Sequence, residues 1–519
     1  MKSLLATLAF FLPTLAFASV GLYSTDPPLG SIVNRGALVK FVFIPFVNQV
    51  DEQNVIVDFD AAPARIEAIA GGPYFQCTAA GTSARCTRDL FPKNSQTGIV
   101  LQVRMPSAVS GGHIFVTGTI RAASGATATW RPDVVIARTF VVTNTSSGDA
   151  GSFAEAIALS NARCTDALPC EIDFQIPGPV PPSGFFTIAP TEPLPAITAK
   201  KLTIDAGEPN PDGPKIVLDG NGQDSPGITV TGSDDITIRG FGIQNWGGAG
   251  ILLTLDQRHS LRARIEDNHL GPGNLRGIMS YGSSYMYVHD NVISGNRRSG
   301  VWIMSAYYPA VYENTIEENG ASGVYFGPGS QFGAADENQI WSNGDFGVAV
   351  DPQAKWIEVR GNSMKHNGQL GIDYALDLAT PNVADDSNRP VPNTPVVTSA
   401  TYDPLTKTTV VIGHVDLRKP ADVGFYMPII DVYRSTTLDA HGMAQGEAML
   451  FRRLDYNNPV QLNRNTGDFV YTHQGDLTGQ YITTTSTRMY ALGKGGVTPQ
   501  YYENWQATSE FSNPVRVAQ

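Results

Sequence analysis

Cysteine is scarce in this chain, and the spacing of its few cysteines argues against a common class of metal site. Only four cysteines occur among 519 residues, in the close pairs Cys77/Cys86 and Cys164/Cys170. No Cys-x-x-Cys motif or cysteine–histidine cluster has the spacing of zinc ligands, so a structural zinc site is not expected. Close pairs of this kind are typical of local disulfides formed in an oxidising compartment.

Long apolar runs are also missing. The run from Leu4 to Leu15 is too short for a membrane span, and no later stretch is long enough. Lys2, this apolar run and the small-residue site Ala16-Phe17-Ala18 are together typical of a secretory signal peptide. We therefore expect residues 1–18 to be a signal peptide on a protein that is secreted, extracellular or at the cell surface, without a transmembrane segment.

Positive charge is in deficit. Lysine and arginine number 36 against 48 aspartates and glutamates, which gives a formal net charge of −12. This balance argues against a nucleic-acid partner and against binding to anionic membranes. It also makes a highly anionic polymer a less natural partner, unless cations bridge the two.

What the chain has in abundance is repetition. Between Gly227 and Tyr374 a unit beginning Gly-Ile or Gly-Val recurs, with successive lengths of 23, 27, 23, 23, 24 and 24 residues. A fixed period in this range predicts a solenoid, in which each rung buries its apolar side chains against its neighbours. Since strand residues alternate between the two faces, three apolar columns predict a three-sided parallel coil. These columns are Ile228, Ile251, Ile278, Val301, Val324, Val348 and Ile372; Ile238, Ile265, Val288, Val311, Ala335 and Val359; and Ile243, Leu270, Ile293, Ile316, Ile340 and Met364.

Polar columns stand at the corners of the predicted coil. Asparagines recur in two series at the corners, and the interpretation as amide ladders at turns is favoured over recognition of sugar hydroxyls. Acids precede the first series, where they either bind calcium between rungs or simply solvate a corner; without Asp-x-Asp spacing, the second is favoured. The asparagines are Asn268, Asn291, Asn314, Asn338 and Asn362, then Asn296, Asn319, Asn343 and Asn367; the acids are Asp267, Asp290, Glu313 and Glu337.

The segment before the repeat has the features of a cap. FVVTNTSSGDAGSFAEAIALSNARC contains a capping box at Ser152 and Glu155, which predicts a short helix with an apolar face of Phe153, Ala156 and Ile157. This segment, followed by CEIDFQIPG, resembles the opening motif of secreted bacterial right-handed parallel β-helix proteins of the pectin-lyase-like fold. In that family a V-T-N-x-x-D-x-G-S-L-R-x-A-I motif leads through a cysteine pair to I-x-F-x-I-P-G.

The segments before and after the repeat are predicted to be β-sandwiches. Short alternating stretches separated by Gly, Ser and Pro predict one sandwich over residues 19–138, and FQCTAAGTSARCTRDLFPKNSQTGIVLQVRMP resembles the modules of bacterial surface proteins. After the coil, NTPVVTSA resembles the family's exit from its last rung. The sequence thus predicts an all-β protein with a capped right-handed parallel β-helix over 139–385 and a second sandwich over 386–519.

One outward file on the first strand of each rung is rich in aromatic side chains. Met279, Trp302 and Tyr325 lie in one column and Tyr281 stands two residues beyond Met279. Aromatic rings in a file can stack on sugar rings, so we expect a polysaccharide or cell-surface glycan as partner. The alternative is that a loop or the C-terminal sandwich covers the file.

Two sets of residues are candidates for catalysis. Asp351 and Asp373 lie on adjacent rungs about 8 Å apart, a separation that suits an inverting glycosidase. His289 or Tyr312 beside Arg360 has the chemistry of a polysaccharide lyase, which needs a base and a cation for the uronate carboxylate. A solvated polar face is the simpler interpretation, since the Asn-Thr-Asp, Gly-Asp-Asp and Gly-His-Gly elements of polygalacturonase-like hydrolases and the pectate lyase pattern do not occur.

The linker after the repeat is a candidate metal site. Asp377, Asp385 and Asp386 lie in a Pro-rich stretch which, in the resembling family, is Asp/Asn-rich in the manner of a calcium loop. Here the glycine and the Asp-x-Asp spacing are lost, so a solvated linker is the alternative and Ca²⁺ stays a hypothesis.

Two functions therefore compete. The β-helix binds, and in one version cleaves, an extracellular polysaccharide along the aromatic file. Alternatively the protein is a non-catalytic surface or adhesive protein in which the β-helix is a rigid spacer.

Overall fold

The structure is a computed structural model. It describes residues 20–27, 31–33, 36–48, 50–72, 74–107, 112–166, 168–207, 213–254, 262–383, 391–417, 425–451, 459–491 and 505–519. The predicted signal peptide lies outside the described residues. The described chain forms two compact units, the first within Met1–Phe140 and Cys164–Glu171, the second within Val141–Arg163 and Ile172–Gln519.

The first unit is built of short β-strands around one apolar core. Antiparallel sheets are formed by Val20–Asp26, Leu38–Val47, Ser95–Gln96, Ile99–Arg104 and Arg65–Ala70; and by Thr127–Trp130, Thr117–Arg121, Glu52–Asp60, Ser83–Phe91 and Gln76–Ala80; Gly112–Phe115, Asp133–Ile136 and Ser31–Val33 form a third, smaller sheet. Phe41, Phe43 and Phe59 are buried in the core between them. Disulfides join Cys77 to Cys86 and Cys164 to Cys170.

The second unit contains a parallel β-helix with three sheets, as the repeat predicts. The first sheet comprises Ile228–Thr231, Ala249–Thr254, Arg276–Tyr281, Val301–Met304, Val324–Phe326, Val348–Val350 and Ile372–Tyr374. The second contains Leu202–Asp205, Ile236–Arg239, Ala263–Glu266, Tyr287–His289, Ala310–Tyr312, Ala334–Asp336 and Glu358–Arg360. The third contains Phe186–Ile188, Ile216–Asp219, Phe241–Gln244, His269–Leu270, Val292–Ser294, Thr315–Glu317, Gln339–Trp341 and Ser363–Lys365. All three predicted inward columns are buried, which confirms the register.

The glycine of the repeat has a steric cause. A Cβ atom on Gly277 would lie 2.7 Å from the carbonyl oxygen of Gly300, and one on Gly300 would lie 2.9 Å from that of Gly323. The backbones of adjacent rungs approach too closely here for any side chain. On the last glycine, Gly371, the Cβ would meet the carbonyl oxygen of Gln445 at 2.8 Å.

Both asparagine columns are hydrogen-bonded ladders, as predicted. In the first, Asn291 Nδ2 donates to Asn314 Oδ1 at 3.0 Å, and Asn314 Nδ2 donates in turn to Asn338 Oδ1 at 3.0 Å. In the second, Asn319 Nδ2 donates to Asn343 Oδ1 at 2.9 Å. The side chains are buried, so these amides are scaffold and are not available to a sugar.

The corner acids have a conformational role. Asp267, Asp290, Glu313 and Glu337 all adopt a left-handed backbone, with φ between 55° and 57°. They form the turn that leads from the second sheet into the asparagine ladder. Asp290, Glu313 and Glu337 are exposed, as the solvated-corner interpretation expects.

A helix caps the beginning of the coil. Helix Phe153–Arg163 begins at the predicted capping box, where Glu155 N donates to Ser152 Oγ at 3.2 Å. Phe153, Ala156 and Ile157 are buried, as predicted. Strands Arg138–Val142 and Cys170–Phe174 lie on either side of this helix in sequence. In the described part of the chain, no helix is long and apolar enough to cross a membrane.

The C-terminal sandwich consists of two antiparallel sheets around a core that includes Val411, Val432 and Phe469. Val396–Asp403, Thr408–His414, Asp468–Gln474 and Gln461–Leu462 form one sheet; Ala448–Met449, Phe425–Ser435, Tyr481–Ala491, Trp505–Thr508 and Val515–Arg516 form the other.

Residues of this sandwich take the place of the next rung. Gln445 Oε1 accepts from Asn367 N at 3.0 Å and thereby ends the second ladder, and Thr508 Oγ1 accepts from Val359 N at 2.9 Å on the second sheet. The C-terminal sandwich therefore satisfies the polar groups that the open end of a solenoid would otherwise expose.

Candidate functional site

The predicted aromatic file exists and lies on the outer face of the first sheet. Met279, Trp302 and Tyr325 occupy successive rungs in register. The rings of Trp302 and Tyr325 are stacked with centroids 5.9 Å apart, and Tyr281 meets Trp302 edge-on at 5.1 Å. These side chains are half-buried or exposed. We call this set, Met279, Tyr281, Trp302 and Tyr325, the aromatic stripe.

An arginine lies against the aromatic stripe at the rung of Met279, which we call its upper end. The guanidinium carbon of Arg276 lies 4.8 Å from the centroid of the Trp302 ring, the geometry of a cation–π contact. Its Nε is buried and has no hydrogen-bond partner among the described residues. Burial and, secondarily, the neighbouring Arg298 lower the pKa of Arg276. Nη1 donates to Met279 Sδ at 3.8 Å, so one buried donor of this guanidinium, Nε, is left unpaired among the described residues beside the aromatic stripe.

The column that contains Trp302 and Tyr325 continues into two later rungs, and there it is covered. Ala349 and Asp373, which follow Tyr325 in the same column, are 1% and 0% exposed. Asp373 Oδ2 accepts a hydrogen bond from Leu378 N at 2.8 Å, while Oδ1 has no partner among the described residues. Burial, and then the charge of Glu510 from the C-terminal sandwich, raises the pKa of Asp373 to about 7. The file is therefore partly open, at Met279, Trp302 and Tyr325, and covered further on, at Ala349 and Asp373.

Asp351, the other predicted carboxylate, stays near the surface. Its Oδ2 accepts a hydrogen bond from the Tyr325 hydroxyl at 3.3 Å, and its Oδ1 accepts one from Gln353 N at 2.8 Å. Burial, with the charge of Asp351, raises the pKa of Tyr325. Because Asp373 is fully buried, the two carboxylates are not presented together to a sugar on the outer surface, contrary to their predicted outward placement.

The predicted lyase residues share one file but serve different partners. His289 stacks on Tyr312 at 4.9 Å, and its Nε2 lies 3.0 Å from Glu266. Arg360 is buried, where its Nε and Nη2 donate to Asp431 at 2.6 and 2.7 Å. This arginine holds the C-terminal sandwich and is not placed to bind a uronate carboxylate, as its predicted role would require.

The predicted metal site can be followed at one residue only. Asp377 is exposed, and Asp385 and Asp386 lie outside the described residues. Within the described ranges, no group of three or more His, Cys, Asp or Glu side chains is arranged to hold a metal ion.

A second aromatic column was not recognised in the sequence. Tyr285, Tyr308, Phe332 and Trp356 stack in turn at centroid distances of 5.0 Å, with interplanar angles of 8°, 18° and 4°. All four adopt left-handed φ values of 55–57°, which is unusual for bulky side chains. They stand at the turn before the second sheet, always two residues ahead of its strand. Reading the turns as well as the strands in register would have revealed them.

Exposed tyrosines gather where this column meets the stripe. Tyr281, Tyr285, Tyr287 and Tyr307 are 40%, 44%, 39% and 44% exposed. They come from two adjacent rungs and surround the turn between the first and second sheets. We call these four residues the aromatic corner.

Comparison with known proteins supports the fold. Residues 226–385 match the family described as "Right handed beta helix region". The chain contains a right-handed parallel β-helix. Its flanking regions are rich in β-strands, in agreement with the predicted all-β class. No curated protein matches the chain.

Three solved structures share a partial likeness with the chain. The catalytic domain of a GH87 alpha-1,3-glucanase has a TM-score of 0.28 at 11% identity, over 71% of this chain and 74% of that chain. ORF18 of Geobacillus virus E2 has a TM-score of 0.28 at 10% identity, over 72% and 76% of the two chains. The Dettilon tailspike protein has a TM-score of 0.23 at 11% identity, over 73% and 94%.

Proposed function

We propose that the β-helix binds an extracellular polysaccharide across the aromatic corner and the adjoining upper part of the aromatic stripe. The observation that carries this proposal is the set of four tyrosine rings, each about two-fifths exposed, on two adjacent rungs. Large contiguous apolar patches on a protein surface usually mark interaction sites. A tyrosine offers a ring face to the C–H groups of a sugar and a hydroxyl to its oxygens.

The spacing of the corner suits a polymer. Rungs of a β-helix repeat at about 4.8 Å, which is close to the advance per sugar unit of an extended polysaccharide. Polar groups flank the rings: Arg276 stands over Trp302, and Asp351 accepts from the Tyr325 hydroxyl. Aromatic surface with a few placed polar groups is the usual composition of a carbohydrate site.

The same geometry favours binding over cleavage. Of the two predicted carboxylates, Asp373 is inaccessible beneath the C-terminal sandwich. Of the predicted lyase residues, Arg360 is fully engaged by Asp431. An inverting hydrolase needs both carboxylates beside the scissile bond, and a lyase needs a cation on the substrate carboxylate.

The competing function, a rigid spacer in a surface or adhesive protein, is favoured by one observation. Trp302 has Arg276, Tyr281 and Tyr325 in contact with its ring, so this ring is used within the stripe itself. A stripe that only packs against itself stiffens the coil without binding anything. The two functions differ in whether the tyrosines of the corner contact a sugar.

Titration with a panel of neutral and acidic polysaccharides tests the proposal. We expect at least one polymer to bind, and the Tyr281→Ala/Tyr307→Ala variant to bind it about tenfold more weakly, because two ring contacts of roughly 0.5–1.5 kcal/mol each are removed. Tyr74→Ala removes an exposed tyrosine of the other unit and should leave the affinity unchanged.

Two outcomes would count against polysaccharide binding. If no polymer binds, or if the corner variant binds as tightly as the wild type, the rigid-spacer function replaces it. Assays for new reducing ends and for unsaturated products on the bound polymer decide the question of cleavage. Product that disappears in Asp351→Asn would restore a catalytic role for that carboxylate.

A further inference from the structure

An open cavity on the second sheet includes two tyrosines of the aromatic corner, Tyr285 and Tyr287. Its volume is about 650 Å³, enough for one or two sugar units. Asp235, Ile236, Thr237, Arg262, Ala263, Arg264, Tyr285 and Tyr287 line it. Two arginines and two tyrosines in one cavity were not singled out by the repeat, because they belong to different columns.

The strand register places these four side chains as neighbours. Arg264 pairs with Tyr287 on adjacent strands, and Arg262 and Tyr285 each stand two residues earlier in the chain, just before those strands begin. Rungs are separated by about 4.8 Å, and all four side chains line the same cavity. One ligand of the size of a pyranose can therefore contact both guanidinium groups and a tyrosine ring together.

The two arginines differ in how they are held. Arg262 is oriented by Asp235, with Nε–Oδ1 at 3.0 Å and Nη2–Oδ2 at 3.1 Å. Among the described residues, the ion pair of Arg264 is a long one of 3.8 Å with Glu266 Oε2, an atom that lies closer, at 3.0 Å, to His289 Nε2. The side chain of Arg264 is 56% exposed, so its guanidinium is accessible to an incoming acceptor.

The charge of the cavity lining is opposite in sign to the net charge of the whole protein. Within the described ranges, its charged lining residues are Arg262, Arg264 and Asp235, which sum to one positive charge (two positive and one negative). The chain as a whole carries a formal charge of −12. An anionic polymer is repelled by the molecule at large, so selective attraction has to come from this local arrangement.

We propose that this cavity binds a sugar unit carrying an anionic substituent, a carboxylate or a sulfate ester, which Arg264 and Arg262 contact while Tyr285 and Tyr287 pack against the ring. Guanidinium groups form charge-assisted hydrogen bonds with such oxyanions. The inference rests on the proposed function and names its substrate class: the polysaccharide at the aromatic corner is an acidic one.

Three forms of one polymer test the inference: dextran, carboxymethyl dextran and dextran sulfate. We expect the intact protein to bind at least one charged form about tenfold more tightly than dextran, equivalent to about 1.4 kcal/mol. This preference should shrink as salt is added, because accessible charges are screened. The form that gains affinity identifies the substituent.

Arg264→Gln should abolish the preference for the charged form without changing the affinity for dextran. Lys215→Gln removes one positive charge elsewhere on the same unit, from an exposed side chain, and should leave the preference intact. Equal binding of the three dextrans, or an undiminished preference in Arg264→Gln, overturns the inference.

The failure of this inference is distinguishable from the failure of the proposed function. The Tyr281→Ala/Tyr307→Ala variant keeps both arginines, so it should weaken binding of all three dextrans by a similar factor and preserve their ratio. A normal preference with no effect of these tyrosines would support the cavity and reject sugar contacts of Tyr281 and Tyr307, on which the proposed function also depends. A strong effect of the tyrosines without any preference would do the reverse.

Discussion

The two ends of the β-helix are closed by different chemistry. At the beginning, Phe153 of the cap helix packs with Phe174 and Phe241, with ring centroids 5.2–5.8 Å apart. At the end, the C-terminal sandwich presents a buried ion pair, Arg360–Asp431, together with hydrogen-bonding side chains. Apolar packing has no directional requirement, so the cap helix only has to exclude water. A polar cap has to offer hydrogen-bond partners that match the donors and acceptors of the last rung.

This difference explains which parts of the outer surface are free. The polar cap brings residues of a distant segment against the last rung, and Glu510 accepts from Tyr374 N at 2.8 Å next to the buried Asp373. The rungs nearer the beginning keep their outer faces, and there the exposed tyrosines lie. If the two ends are as distinct as the contacts indicate, changes at one end should loosen that end first.

The largest effect is expected for the ion pair. Asp431→Ala leaves the buried Arg360 guanidinium without its partner, which should lower the free energy of unfolding by about 4 kcal/mol. Urea unfolding measures the loss, and hydrogen exchange should show the last rung opening before the first. The double variant Arg360→Met/Asp431→Leu should recover part of the stability, because neither member of the pair is left without the other. Recovery is incomplete because Glu358, whose Oε1 lies 3.8 Å from Arg360 Nη1, loses a neighbouring cation. Equal losses in the single and double variants would contradict this account.

At the other end, Phe153→Ala should remove about 3 kcal/mol, because a buried ring is replaced by a cavity. Hydrogen exchange should then accelerate in the early strands, such as Leu202–Asp205, and leave Glu358–Arg360 protected. Leu159→Ala, a truncation on the half-buried side of the same helix, serves as the control and should have a much smaller effect. Uniform acceleration along the coil would show that the two ends are not independent.

The polar end should also respond to pH. Asp373 has an ordinary pKa of 3.8, raised to about 7 in the fold. The folded state therefore binds more protons than the unfolded state between these values, so stability falls as pH rises through this range. The difference in stability between Asp373→Asn and the wild type should be smallest below about pH 4 and should grow in favour of the variant as pH rises to 7, by at least about 1.4 kcal/mol, the equivalent of one pKa unit. If the free energies of unfolding of the two proteins run parallel with pH, the raised pKa of Asp373 is refuted.

Periodicity predicted the coil, its inward columns and its asparagine ladders because each of these depends only on residues one rung apart. It could not predict that Asp373 is buried, because the covering residue Glu510 lies 137 positions further on and outside the repeat. The burial of Arg360 is likewise invisible to the repeat, because its partner Asp431 lies 71 positions further on and outside the repeat. The column beginning at Tyr285 also repeats once per rung, but it stands in the turns, where strand alternation gives no signal.

The smallest effect concerns the end of the second ladder. Gln445 accepts from Asn367 N and Nδ2 at 3.0 and 3.2 Å, and it has no further rung beyond it. Gln445→Ala leaves polar groups of one rung unsatisfied, for which we expect about 1 kcal/mol. Asn343→Ala interrupts the same ladder in its interior. Asn319 N and Nδ2 lose their acceptor, Ile316 O loses a donor, and Asn367 Oδ1 keeps only the backbone N–H of residue 343. Groups of two rungs are affected, so about twice that loss is expected. Urea unfolding of the two variants gives the ratio. Equal losses would mean that the C-terminal sandwich is bound to the last rung as firmly as one rung is to the next, and the distinction between cap and coil would then disappear.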